Sequence, residues 1–199
     1  MASKLQIVNM ALAHIGLKPL ADLDGTDPIT TAVNTYYDYS LEDVFSEHRW
    51  PFANVKTALS EITVEDDDIE WDFMYTYPSS AARVFLVYSE GSVTTKEYEE
   101  FEVIYLTGST RKVILTNTED AYAEYTYIMT DTTKWEPKFT LAFSYRLAAL
   151  IAFSVTGDVD NSVKMNDIYA SFIGEAKRLS FQEKIKAPYP KTDTIDARG

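Results

Sequence analysis

The chain has no cysteine and only two histidines, His14 and His48. Without thiols there is no disulfide framework, no thiolate metal site and no cysteine nucleophile. No His-x-x-x-His pair is present, so a zinc hydrolase centre lacks its usual ligands. The G-x-S-x-G turn of serine hydrolases and a glycine loop able to cradle phosphate are also missing. Cations are scarce: 18 Lys and Arg stand against 31 Asp and Glu, a formal net charge of -13. A protein that wraps nucleic acid needs cations to displace counterions from phosphate, so this balance argues against that class. Met1-Ala2-Ser3-Lys4 runs straight into an amphipathic pattern, with no apolar leader core or cleavage site. The longest apolar stretch, Phe139 to Val155, is interrupted by Ser144 and Arg146. It is short for a bilayer crossing, which takes roughly 20 residues. The expectation is a soluble protein made in the cytoplasm, with no membrane partner.

What is present supports a substantial core. Of 199 residues, 46% are hydrophobic, enough for one domain or one domain carrying a sizeable insertion. Charge is unevenly placed. Residues 161–199 carry seven Lys and Arg and five Asp and Glu, whereas residues 1–160 carry eleven and twenty-six. An acidic body with a mildly basic end reads either as a functional asymmetry or as chance clustering on a solvated surface.

Apolar spacing divides the chain into helical ends and an extended middle. Ser3 can cap a helix over about 4–15, stopped by Gly16 and Pro19. Asp27-Pro28 reads as the cap and first turn of a second helix ending near Arg49, because Pro51 disfavours helix at Trp50. Period-two alternation follows, with strands expected at 54–62, 71–77, 83–89, 100–106, 111–116 and 121–129. Gly108-Ser109 marks a hairpin. A helix over 137–156 follows, closed by Gly157, and a last one starts at Asn161 or Ser162. Ala187-Pro188-Tyr189-Pro190 ends it and leaves an extended tail. The expected fold is α+β: an antiparallel helical bundle from residues 1–53 and 132–186, a mostly antiparallel β domain inserted at 54–131, and a C-terminal tail at 187–199.

Candidate chemistry is thin. Asp22, Asp24 and Asp27 suggest a calcium loop, but the full EF-hand ligand set is missing, and a turn followed by a helix cap accounts for them better. The run Glu65-Asp66-Asp67-Asp68 could hold a cation or form a solvated loop. No catalytic constellation and no cofactor or metal site is expected.

The phrase Glu47-His48-Arg49-Trp50-Pro51-Phe52-Ala53 adds something else. A long helix ending in xHxWxFA, after an N-terminal ALxxIG helix, resembles the head-to-tail adaptors of short-tailed bacteriophages, the tail tubular protein A family. MALAHIGLKPLADLDG (10–25) is similar to that family's opening helix and loop. FMYTYPSSAARVFLVY (73–88) is similar to its strand–Pro–strand segment, although Ser79-Ser80-Ala81-Ala82 replaces the usual Leu-Pro-x-Asp phrase. Residues 114–157 resemble its late strand, Trp-x-Pro-x-Phe link and penultimate helix. The likeness covers nearly all of residues 5–180. It implies a virion structural protein of the neck, not an enzyme. Twelve subunits would form a ring between the portal protein and the tail nozzle (tail tubular protein B-like), extending the channel through which genomic DNA passes without specific binding.

On this reading Lys184, Lys186, Pro188, Tyr189, Pro190, Lys191 and Arg198 contact the portal or a neighbouring subunit. Trp50, Pro51, Phe52 and Trp135 lock the junction of helices and sheet. The alternative is a tail-associated cell-wall (peptidoglycan) hydrolase, which needs a close carboxylate pair in a cleft. A third possibility is a soluble interaction module outside the virion.

Overall fold

The computed structural model describes residues 2–63, 70–89, 98–106 and 108–182. The fold is α+β, with four helices and two small antiparallel sheets. Helix α1 spans Lys4–His14. Ser3 and Gln6 cap it reciprocally: the Gln6 N–H donates to Ser3 Oγ at 3.2 Å and the Ser3 N–H to Gln6 Oε1 at 2.7 Å. Helix α2 spans Pro28–Ser46, and Asp27 accepts from the N–H groups of Ile29 and Thr30. The Thr30 hydroxyl also donates to Asp27, at 2.6 Å, which together with the N–H bonds holds that carboxyl below its ordinary range. A Cβ at Gly25 would lie 2.9 Å from Asp27 Oδ2, so only glycine leaves this cap undisturbed. Asp27 is thus a helix cap, and the Asp24 N–H turns onto Asp22 Oδ1 at 3.1 Å. Among the described residues no group of His, Asp and Glu is placed to hold a metal ion.

Helix α2 stops three residues before Arg49, where the sequence pattern ended it. The His48 carbonyl accepts from the Trp50 N–H and from the Thr126 hydroxyl, which turns the chain toward the sheets. A 3-10 turn at Pro51–Ala53 completes the change of direction.

The strands lie close to their expected positions but form two sheets rather than one. Strands β1 (Asn54–Ala58), β6 (Tyr122–Tyr127) and β3 (Ala81–Tyr88) form one, with β6 central. Strands β2 (Phe73–Thr76), β5 (Lys112–Thr116) and β4 (Phe101–Tyr105) form the other, with β5 central. The chain crosses between them at two corners. Leu59 still bonds to Ala121, but Ser60 and Ile62 bond to β2, so the expected strand over 54–62 bends from one sheet to the other. Glu99 bridges to Val87 just before β4 begins. Tyr75, Val84, Val87, Ile114, Ala121 and Ala123 form an apolar cluster that draws on both sheets. Gly108, at φ +74°, lies in the turn between β4 and β5.

Helix α3 (Pro137–Thr156) is apolar around most of its circumference and packs against α1, α2 and α4. By length and composition alone it could cross a membrane; here Phe139, Phe143, Leu147 and Ile151 are fully buried in the main core. It ends at Gly157, whose left-handed φ of 71° suits glycine. Helix α4 (Val159–Gln182) starts earlier than the pattern placed it, because Asp158 rather than Asn161 or Ser162 accepts the orphan N–H of Asn161 at 3.0 Å. The Ser162 hydroxyl instead donates across to the Ala149 carbonyl of α3 at 2.6 Å. The acidic run at 65–68 and the tail at 187–199 lie outside the described residues.

The main core centres on Phe139. Its ring centroid lies 4.8 Å from Phe45, 4.9 Å from Trp50, 5.0 Å from Phe52 and 5.1 Å from Trp135. Most of these pairs are edge-on, the arrangement that ring quadrupoles favour. Replacing Trp50 or Phe139 by Ala is expected to cost about 3–5 kcal/mol, the range for emptying a large aromatic site. Urea titration monitored by far-UV circular dichroism measures it, and an unchanged midpoint for both variants would contradict this account of the core.

Candidate functional site: the junction segment 47–56

The ten residues after α2 join α4, the aromatic core and the central strand β6. They include the phrase that carries the family resemblance, and nearly every side chain among them has a packing or hydrogen-bonding task. Glu47 accepts from Tyr169 Oη and, at 2.6 Å, from Lys177 Nζ, both on α4. Burial, reinforced by the Glu47 carboxylate, raises the Tyr169 phenol above its ordinary value. One turn earlier, Asp43 pairs with Arg146 of α3 at 2.7 Å, and Arg146 also donates to Asn166 of α4 at 2.9 Å. Carboxylates from the last turn of α2 and from its C-cap therefore reach α3 and α4.

Beyond Glu47 the segment turns to the sheet. Arg49 Nη1 lies 3.4 Å from Glu124 of β6 and Lys56 Nζ 3.7 Å from its other oxygen. Asn54 Nδ2 donates to the same carboxylate at 2.6 Å. Glu124 is buried, only 6% exposed. Period-two alternation over 121–129 sets it on the face opposite Ala123 and Tyr125. The structure buries both faces, since Ala123, Glu124, Tyr125 and Thr126 are all enclosed. A carboxylate is tolerated there because two cations and an amide converge on it. Glu124 is the key residue that sequence reasoning missed. Its one sequence-level signal was its place on the clearest strand, but centrality in a sheet is a tertiary property.

Of the four residues expected at the junction, Trp50 and Trp135 are buried, whereas Pro51 and Phe52 are half-buried. Trp50 Nε1 donates to the Val44 carbonyl at 3.0 Å and Trp135 Nε1 to the Met129 carbonyl at 2.9 Å. Both indoles thereby satisfy their only polar atom. The structure brings Trp50, Phe52 and Trp135 together around Phe139. Lys184, Lys186, Pro188, Tyr189, Pro190, Lys191 and Arg198 lie outside the described residues.

Both histidines meet serines of C-terminal helices. His14 Nε2 is 3.0 Å from Ser144 Oγ on α3, and His48 Nε2 is 2.8 Å from Ser180 Oγ on α4. Each serine Oγ also lies within hydrogen-bond distance of a backbone carbonyl of its own helix, Leu141 and Lys177 respectively, so each pair ties a residue of the N-terminal part to a C-terminal helix. His14 also stacks on Tyr145 at 3.8 Å, and Tyr145 on Phe172, a column of rings through α1, α3 and α4. The clefts lined by Glu47, by Glu42 and by Glu136 each present one carboxylate.

The fold is α+β, and among the described residues the polar contacts of this junction tie its helices to the sheet of β1, β6 and β3. No protein-family model matches the chain, and no curated protein matches it.

Two measurements probe the junction. Glu124→Gln keeps an acceptor for Asn54 but removes the charge that Arg49 and Lys56 address; a loss of about 1–3 kcal/mol in unfolding free energy is expected. Wild-type stability in that variant would mean the cations contribute nothing. The second concerns pH. Burial lowers the His14 imidazole below its ordinary value of 6.5. As pH falls through 6.5 the unfolded chain takes up this proton first, so the folded state loses stability until the folded imidazole also protonates. His14→Gln should therefore show a smaller drop in urea midpoint than wild type between about pH 7.5 and 5.5; an equal drop would mean His14 does not contribute.

Proposed function

We propose that this chain is a head-to-tail adaptor of a short-tailed bacteriophage, a structural protein of the virion neck without catalytic activity. It would form a ring between portal protein and tail nozzle and extend the channel for the genome. The observation that carries this reading is the order of the resembling segments along residues 5–180, with the phrase Glu47–Ala53 at its centre. The geometry of that phrase supports it: segment 47–56 ties α4, the aromatic core and β6 together, which suits a part that must transmit position rather than bind a small molecule.

The finer arrangement belongs to the same reading. Residues 1–53 and 132–186 would act as one helical bundle facing the portal, with 54–131 as an inserted β domain facing the nozzle. Packing of α3 against α1, α2 and α4 fits that division. So does a second apolar cluster drawn from strands of both sheets. A net charge of -13 suits a channel wall that does not retain passing phosphate. The virion is the location this implies, after synthesis in the host cytoplasm.

The test mixes the purified chain with the portal protein of the same virion and images the product by electron microscopy. A ring of density added to one end of the portal is the expected result, and its subunit count is expected to be twelve. A portal left bare at saturating chain would overturn the reading. Repeating the experiment without residues 187–199 measures what the tail contributes; weaker attachment is expected.

A further inference from the structure

The sheet β2–β5–β4 carries opposite charges at its two ends. Where β5 begins, Arg111 and Lys112 line an open cleft of about 480 Å³, together with Tyr77, Tyr105, Ser79 and Glu42 of α2. Lys112 Nζ sits 4.2 Å over the Tyr77 ring, and Tyr105 is 67% exposed. Among the described residues, no carboxylate comes within ion-pair distance of Arg111 or Lys112. Lys4, Lys18, Arg83, Lys164 and Arg178 also lack an ion pair among the described residues, but of all these cations Arg111 and Lys112 are the two that adjoin in sequence. Two unpaired neighbouring cations stand out in a chain of net charge -13.

Strand β5 ends at Thr116, opposite Phe73 and Phe101. At that end Asp72, Glu100, Glu119 and Asp120 are exposed, and none pairs with a cation among the described residues. Backbone ties hold the site in shape: the Asp72 N–H donates to Asn117 Oδ1 at 3.1 Å, and the Thr116 hydroxyl to the Glu100 carbonyl at 2.8 Å. Strand β5 has five residues. At about 3.4 Å per residue the poles stand roughly 17 Å apart. That exceeds the screening length of about 8 Å at physiological salt, so the poles do not neutralise each other within one copy.

We propose that the cationic pole of one copy receives the acidic pole of the next, so that copies join head to tail through this sheet. The inference rests on the ring-forming reading above and names the surface that would close the ring. The occupant is a second copy because it always presents the complementary carboxylates, at equal stoichiometry. Among the described residues a phosphate backbone would meet Arg111 and Lys112 beside Glu42, and it would be repelled by the acidic body. Tyr77 and Tyr105 add aromatic area of the kind enriched at interfaces. Such a contact is heterologous and closes into a ring only if the rotation between copies closes. It also sets the strands of β5 along the circumference of the ring rather than along its axis.

The test uses charge reversal on the full chain, with sedimentation velocity at physiological salt as the readout. Wild type is expected to self-associate with rising concentration. Arg111→Glu with Lys112→Glu, or Glu119→Lys with Asp120→Lys, should each weaken association by about tenfold or more. Mixing the two variants should restore it, because each then offers what the other lacks. Arg111→Gln with Lys112→Gln removes charge without reversal and should lose about threefold, with circular dichroism confirming that all variants fold. A wild type that stays monomeric, a reversed variant that associates like wild type, or folded variants that do not rescue each other would overturn the proposal. Rings that form on the portal with either reversed variant alone would overturn this contact and leave the adaptor reading standing.

Discussion

Phe139 sits at the one point where the rest of the molecule has to agree. It opens α3, and its ring touches aromatic rings from α2, from the segment after α2 and from the link before α3. Those elements come from both sides of the strands in sequence. A ring so enclosed cannot be accommodated by one side alone, so the helices before the strands and those after them are obliged to meet there. The direction in which the chain enters and leaves the sheets follows from that meeting. Trp50 is fully buried and Trp135 nearly so, and each has one N–H spent on a carbonyl six residues away, which leaves little freedom in either turn.

Polar contacts then fix what apolar packing leaves loose. Hydrophobic burial is nearly indifferent to small rotations, whereas an ion pair or a hydrogen bond is not. Asp43 and Glu47 set α2 against α3 and α4, and Arg49, Asn54 and Lys56 set the same segment against β6. Because Glu124 is enclosed, its partners hold it in a setting where leaving it alone would be costly. The segment works as a hinge that has been pinned on both leaves.

Much of this was legible in the sequence, for identifiable reasons. The Ser3 cap and Gly16 stop, the Asp27-Pro28 start and the Gly157 stop located three helices to within a few residues, because caps are local chemistry. Alternation located the six strands found among the described residues. It did not reveal that they divide into two sheets, since pairing is decided by partners distant in the chain and a bend between Ala58 and Ser60 leaves no mark on period two. For the same reason alternation did not reveal that Glu124 is enclosed. At the junction, Trp50, Phe52 and Trp135 were identifiable from the prolines beside them. Phe139 was not, because within an apolar helix one large residue looks like another.

The histidine struts have a consequence in time. His14 waits for Ser144 and His48 for Ser180, separations of 130 and 132 residues. On a ribosome adding 5–20 residues per second, the first helix emerges on the order of ten seconds before its partner exists. For that interval α3, which packs on both α1 and α2, has not been made, while both sheets are completed behind them. The strands can therefore settle first, and the last helices arrive to close a molecule whose two ends have been held apart by its own middle.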